Sequence, residues 1–312
     1  MFIKDEKISI VSPVFNEEEV IETFFENMIS SLEKHGIDFE MIFVDDGSQD
    51  RSFEILKTCQ QKAAGRVKIL RLSRNFGHQL AITAGMEKAC GGAVIVMDCD
   101  LQDPPDVALS FIEKWRQGYE VVCGVRTDRK GETLFKKLTA GLFYKFMRWA
   151  TRIDIPENVG DFYLLDRKVV SVLKQMDERH RFIRGMVAWA GFKRVGIPYV
   201  REARCAGRSK FGLWKMIKFA FDAATSFSFL PLRFISFAGM VISFLAFLGI
   251  LVTIYLRVFT DVTITGWTSL MVTVLFIGGI QLLALGLIGE YLARIGDDVK
   301  RRPLYAVAQV LE

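Results

Sequence analysis

Val94-Ile-Val-Met-Asp98-Cys-Asp100-Leu-Gln102-Asp103-Pro-Pro105 runs an apolar stretch into two carboxylates one residue apart, and then into a turn. Alternate residues of an extended segment point the same way, so Asp98 and Asp100 can reach one point while Cys99 between them turns into the sheet. Hard oxygen ligands at a strand end suit Mg²⁺ or Mn²⁺ carrying a diphosphate. The pattern points to an enzyme acting on a nucleotide diphosphate.

Working outward, apolar runs at Ile8–Val14, Phe39–Asp45, Val67–Leu72, 93–98 and 119–125 alternate with helical patterns at 17–34, 50–63, 77–90 and 105–117. Spacings of about 25–30 residues fit βαβ units, and near-continuous apolar strands fit a sheet covered on both faces. The expectation is a Rossmann-like α/β domain with a mostly parallel sheet. Ligands of such sheets sit at the carboxyl ends of the strands. Here those ends read Pro13-Val-Phe15-Asn-Glu17, Asp45-Asp46-Gly47-Ser48 and Asp98-Cys-Asp100. No Gly-x-Gly-x-x-Gly follows the first strand, which disfavours a dinucleotide dehydrogenase. Ser48 or Asp50 could cap the following helix, but capping does not account for two acids leaving a buried strand.

The chain has 312 residues, 51% of them hydrophobic. Much of this is local: residues 234–256 and 262–289 form uncharged runs of 23 and 28 residues. A bilayer core is crossed by roughly 20 helical residues, so both runs are long enough. Lys215, Lys218 and Arg233 precede the first run, and Arg294, Lys300, Arg301 and Arg302 follow the second. The positive-inside rule then places both ends in the cytoplasm and the short loop outside. No signal-peptide pattern opens the chain. The five cysteines (59, 90, 99, 123 and 205) lack Cys-x-x-Cys spacing, which fits a reducing compartment without a zinc site or disulfide framework. Residues 132–152 form a basic amphipathic pattern, readable as an interfacial helix or as a core-packing helix with a solvated charged face. Residues 211–230 give a second such pattern leading into the first apolar run. The basic loop Arg126, Arg129, Lys130 leaves the active end of the sheet and suits phosphate capture.

Four motifs together resemble the inverting family-two glycosyltransferases of GT-A fold: Pro13-Val-Phe-Asn-Glu17, Val44-Asp-Asp-Gly-Ser48, Ser73-Arg-Asn-Phe-Gly77 and Asp98-Cys-Asp-Leu-Gln-Asp-Pro-Pro105. Asn158-Val-Gly-Asp161, Arg181-Phe-Ile-Arg-Gly185, Arg204-Cys-Ala-Gly-Arg-Ser-Lys210 and Thr225-Ser-Phe-Ser-Phe-Leu-Pro-Leu-Arg233, followed by two apolar runs, are similar to polyprenyl-phosphate glycosyltransferases. Within these, the likeness is greatest to the bactoprenol glucosyltransferases of O-antigen modification systems.

The resemblance implies UDP-glucose as donor, undecaprenyl phosphate as acceptor and a lipid bilayer as the working surface. A homo-oligomer, and coupling to a flippase and a periplasmic glucosyltransferase, are also implied; a nucleic-acid partner is not. By the same carry-over, Pro13, Phe15, Glu17, Asp45, Asp46 and Arg126 line the nucleotide-sugar site. Asp98, Asp100 and Gln102 serve ribose and a Mg²⁺ or Mn²⁺ ion. Asp161 and Asp100 are the catalytic candidates, and Arg204, Ser209 and Lys210 clamp the acceptor phosphate. Where many relatives carry Lys-Glu after Asn-Phe-Gly, this chain has His78-Gln79, and His78 is read as a polar helix-start residue. His35 and His180 are read as surface residues.

A phosphate monoester is already largely ionised at neutral pH, so its attack needs positioning more than proton removal. Asp161 is therefore expected to orient sugar or acceptor rather than to act as an obligatory base. The domain expectation is a cytoplasmic glycosyltransferase domain over 1–210, a juxtamembrane helix over 211–233 and transmembrane helices over 234–256 and 267–289. An external loop over 257–266 and a cytoplasmic tail over 290–312 complete it. Two alternatives stay open: the same reaction with GDP-mannose, a UDP-N-acetylhexosamine or UDP-aminoarabinose, and an inactive membrane scaffold.

Overall fold

The computed structural model describes residues 6–63, 65–127, 159–179, 181–201, 230–259 and 266–312. The chain divides into one unit of Met1–Phe211 with Pro303–Glu312, and a second of Gly212–Arg302.

The first unit is an α/β fold on an eight-stranded, mostly parallel sheet in the order β7-β5-β6-β4-β1-β2-β3-β8. Strands β1 (Ile8–Val14), β2 (Phe39–Asp45) and β3 (Val67–Leu72) have the bounds their apolar runs predict. Every residue of β1 and β2 is buried, as strands covered on both faces must be. Helices α1 (Ile21–Lys34), α2 (Ser52–Lys62) and α4 (Pro105–Arg116) pack Phe24, Phe53, Phe111 and Trp115 into one core with Ile10, Phe43 and Ile95. On the opposite face lies α3 (His78–Lys88). It comes so close that a Cβ on Gly85 would meet Val11 Cγ1 at 2.3 Å, so only glycine lets this helix lie flat on β1.

Two differences from the sequence reading matter for function. Strand β4 covers Ala93–Val96 only, so Asp98 lies beyond the ladder rather than within it. The chain leaves extended geometry there through Leu101, a non-glycine residue at φ 59°. The other difference is a set of strands the sequence reading did not anticipate. Strand β6 (Val159–Asp166) runs antiparallel between β4 and β5 (Val121–Arg126), and β7 (Arg194–Tyr199) pairs parallel with β5. Strand β8 (Val307–Leu311), inside the stretch expected to be a tail, pairs antiparallel with β3. Short helices α5 (Arg167–Lys174) and α6 (Ile183–Ala190) follow β6. The amphipathic pattern at 132–152 and nearly all of that at 211–230 lie outside the described residues.

The second unit contains two long helices, α7 (Leu230–Phe259) and α8 (Trp267–Val299). At about 1.5 Å per residue each is long enough to span a bilayer core. Among the described residues, Phe276–Val299 is the one stretch both long and apolar enough to cross by composition; Ile235–Gly249 is apolar but shorter. Phe237, Phe244, Phe247, Leu282 and Leu283 each stand more than half exposed on these helices.

Trp115 fastens α4 to the end of β6. Its Nε1 donates to Asp166 Oδ2 at 2.7 Å, and Asp166 Oδ1 accepts from Lys168 N to cap α5. Trp115→Phe takes one donor from a buried carboxylate, a loss of ~1–3 kcal/mol. Thermal unfolding of the variant should show a lower midpoint, and an unchanged midpoint would exclude this anchoring role.

Candidate active site

The site forms where β1, β2, β3 and β4 end and β6 begins. Register makes the central juxtaposition. Strands β4 and β6 pair Ala93 with Asp166 and Val96 with Tyr163, and two further residues along the same register Asp98 faces Asp161. An antiparallel β6 thus delivers a carboxylate from a distant part of the chain to the paired acids.

Asp161 is 8% exposed and accepts from three side chains. Arg184, in the first turn of α6, grips it with Nε at 2.8 Å from Oδ1 and a terminal nitrogen at 3.0 Å from Oδ2. Gln79 Nε2 donates to Oδ2 at 3.1 Å, and His78 Nε2 lies 3.3 Å from the same oxygen. Burial alone would raise this carboxyl, but the Arg184 charge and the His78 contact outweigh it and hold Asp161 well below the usual carboxylate range. A group so firmly anionic and so fully hydrogen-bonded is a poor proton acceptor.

His78 stands among the acids, a placement the sequence reading did not anticipate. It does open α3, as a helix-start residue, but its ring sits between Asp161 and Asp98, 3.6 Å from Asp98 Oδ1. Its crowded surroundings oppose the charged form, yet the bond to Asp161 and the Asp98 charge push the imidazole up to about 9. Gln79 has a second task, since its Oε1 accepts from Ile183 N at the start of α6 and so sets the helix that carries Arg184. The available clue was topological: the pair follows the carboxyl end of β3, where ligands of such sheets gather. His35 bonds Ser31 O at the surface, as expected, and His180 lies outside the described residues.

The acidic turn is crowded. Partial burial, with the neighbouring Asp100 and Asp161 charges, pushes Asp98 up to about 6 even though His78 acts in the opposite direction. Asp100 Oδ1 accepts from Gln102 N at 3.2 Å, closing the turn. The Arg201 guanidinium, just beyond β7, lies 3.9 Å from Asp98, 3.7 Å from Asp100 and 3.6 Å from Asp103. Three carboxylates therefore face one cation. Among the described residues no three His, Cys, Asp or Glu side chains form a ready metal cage. The donor set instead fits an ion held by one or two carboxylates together with substrate phosphates, as Mg²⁺ commonly is. Tyr199 secures the turn from below, with its hydroxyl donating to Asp103 at 2.6 Å and accepting from Arg126 Nε at 3.4 Å.

The β2 acids separate in role. Asp45 is fully buried; Oδ1 accepts from Ser48 N, while Oδ2 accepts no hydrogen bond and lies 3.3 Å from Arg71 Nε. Asp46 spends both oxygens on the backbone N–H groups of Phe76 and Gly77, so it shapes the loop that presents His78. Gly47, at φ 73°, lets that loop approach: a Cβ there would meet the Arg74 carbonyl carbon at 2.6 Å. Pro13 is buried at the end of β1, and its carbonyl accepts from Cys99 Sγ, which does turn into the sheet. Glu17 N donates to Ser52 Oγ, and Phe15 is exposed at the rim. Arg204, Ser209 and Lys210 lie outside the described residues.

The α/β sheet thus carries paired acids at one strand end, with an anchored third acid facing them. The chain belongs to glycosyl transferase family 2, whose pattern matches residues 9–173. It is 52% identical to "Uncharacterized glycosyltransferase YkcC" of Bacillus subtilis, over 96% of this chain and 92% of that one. To "Prophage bactoprenol glucosyl transferase homolog" of Escherichia coli it is 39% identical, over 97% and 99% of the two chains. A solved structure of glucosyl-3-phosphoglycerate synthase from Mycobacterium tuberculosis resembles it at TM-score 0.49 and 17% identity, over 72% of this chain and 80% of that one. The protein is a glycosyltransferase.

His78→Ala removes one donor to Asp161 and the cation beside Asp98. Loss of one such electrostatic contact typically costs on the order of 10²-fold in turnover. With the ring 41% exposed, the fold should persist. Steady-state kinetics alongside a melting curve would test this, and full turnover in the variant would make the ring a bystander.

Proposed function

We propose that the chain transfers glucose from UDP-glucose to undecaprenyl phosphate with inversion. The product would be a polyprenyl phosphate glucose for O-antigen or other cell-envelope glycan modification. The observation that carries this reading is the near full-length match to relatives named bactoprenol glucosyl transferase, 39–40% identical over at least 96% of this chain. That match includes the segment with the two long helices.

In the reaction, an acceptor phosphate oxygen forms a bond to the anomeric carbon as the bond from that carbon to UDP breaks, and UDP departs with the electron pair. The attacking phosphate, with a second pKa near 6, needs no further base at neutral pH. This agrees with an Asp161 held anionic by Arg184, His78 and Gln79, whose task is orientation. Pro13, Phe15, Glu17 and Asp45 flank the nucleoside, with Arg126 near the diphosphate. Asp98, Asp100 and Gln102 would hold Mg²⁺ or Mn²⁺, which when bound neutralises charge on the diphosphate. Arg204, Ser209 and Lys210 are proposed to clamp the acceptor phosphate.

Connectivity supports a membrane arrangement with an even number of crossings. The chain leaves the α/β unit before Gly212 and re-enters it at Pro303. Both flanks of the helical unit therefore end on one side of any bilayer, and an inserted unit crosses an even number of times. Two crossings by α7 and α8 satisfy this and leave their exposed apolar side chains in lipid. Basic flanks put the α/β unit in the cytoplasm of a bacterial inner membrane. An isoprenoid loses ~0.8 kcal/mol for each CH₂ drawn out of the bilayer, so the enzyme must meet the phosphate at the surface.

Purified protein incubated with undecaprenyl phosphate, Mg²⁺ and radiolabelled UDP-glucose should put label into organic extract. The label should vanish with EDTA and fall at least ~10²-fold in Asp100→Ala. Label from a different sugar nucleotide would keep the chemistry and change the sugar, and none from any donor would overturn the reading. For topology, Gly266→Cys between the helices should react with an impermeant maleimide applied to intact spheroplasts, while the exposed native Cys90 should react only after lysis. Cys90 labelling from outside would invert the proposed orientation.

A further inference from the structure

Strand β8 comes after both long helices, yet it lies against the donor half of the sheet. A cavity of about 450 Å³ opens at the ends of β1, β2 and β3, and Ala308 and Gln309 of β8 are part of its lining. Its inner walls include Phe15, Gly47, Ser48 and Arg71. The size falls in the range of small-molecule sites.

The chemistry of the walls suits a planar heterocycle with donor and acceptor edges. Phe15 offers an exposed aromatic face at the rim. Arg71 is fixed by Asp45 at 3.3 Å and by stacking 4.2 Å from the Phe53 ring, so its guanidinium has a defined position. Asp45 Oδ2, buried behind it, accepts no hydrogen bond within the protein. Gln309 is the ladder partner of Arg71 and shares its face of the sheet, adding an amide that can both donate and accept. The strand is held there by more than its ladder: Ser73 N donates to Ala306 O at 2.9 Å, Gln60 Nε2 donates to Glu312 O at 3.0 Å, and Tyr305 donates to Glu87.

We propose that β8 is the outer wall of the donor's nucleoside pocket and that Gln309 is a specificity-determining residue for the nucleobase. This rests on the nucleotide-sugar reading above. The glycosyltransferase pocket is then completed by residues some 240 positions beyond Arg71 in sequence. Recognition of the donor depends on the return of the chain from its helical unit.

The test uses the full-length protein, with UDP, GDP and CDP titrated by calorimetry and with donor and acceptor KM values measured separately. Ala308→Trp, which fills the cavity, should weaken UDP binding at least ten-fold. Gln309→Ala should weaken it several-fold and narrow the ratio of UDP to GDP affinity. Both should raise the donor KM and leave the acceptor KM and kcat within two-fold. Val310→Thr, on the opposite face of the same strand, should match wild type and serves as the control for edge-strand damage. If Ala308→Trp fails to fold, Gln309→Ala decides alone. Unchanged UDP affinity in a folded Gln309→Ala or Ala308→Trp, with wild type binding normally, overturns the wall and leaves the nucleotide-sugar reading intact. A loss confined to kcat also overturns it. Wild type that binds no nucleoside diphosphate overturns the nucleotide-sugar reading itself, and the inference with it.

Discussion

Four carboxylates, from Asp98, Asp100, Asp103 and Asp161, are gathered at one end of one sheet, and like charges at such distances repel. The arrangement persists because cations are built among them. Arg184 and His78 hold Asp161, and Arg201 faces the other three. Each of these cations comes from a different element: α3, α6 and the segment after β7. The antiparallel insertion of β6 between β4 and β5 brings the fourth acid into the group, and α6, which follows, brings Arg184 against it. Three cations among four carboxylates offset most of that repulsion and leave the cluster acidic.

The central strands were legible because they obey a simple constraint. Strands covered on both faces must be apolar throughout, and β1, β2 and β3 match their predicted bounds. The acidic turn was legible for a related reason, since Asp98 and Asp100 interrupt such a run where water or ligand must begin. Strand β4 was read two residues too long because composition cannot report where a ladder stops. Strand β6 was missed because Gly160 and Asp161 break its apolar pattern, although all eight residues are buried. Its direction, which matters more, depends on non-local pairing. Strand β8 is short and its side chains are largely exposed, so little periodicity marks it.

Among the site residues, the acids at strand ends were named from the sequence, while His78, Arg184 and Arg201 were not given their roles. A cation that neutralises an acid from another element leaves no local signal, because its significance is in the distance between the two. Asp46 illustrates the converse. It sits in the motif beside Asp45 and looks equally suited to ligand, yet both its oxygens hold the Phe76–Gly77 backbone. Adjacent acids of one motif can thus be held quite differently.

The order of synthesis gives the C-terminal strand another meaning. Strand β8 follows α7 and α8 in sequence, so the edge of β3 stays open while both helices are made. An open strand edge is a template for unwanted pairing. The α/β unit therefore stays an incomplete sheet until synthesis has passed both helices. Completion of the sheet thus waits on the helical unit, and β8 acts as the seal.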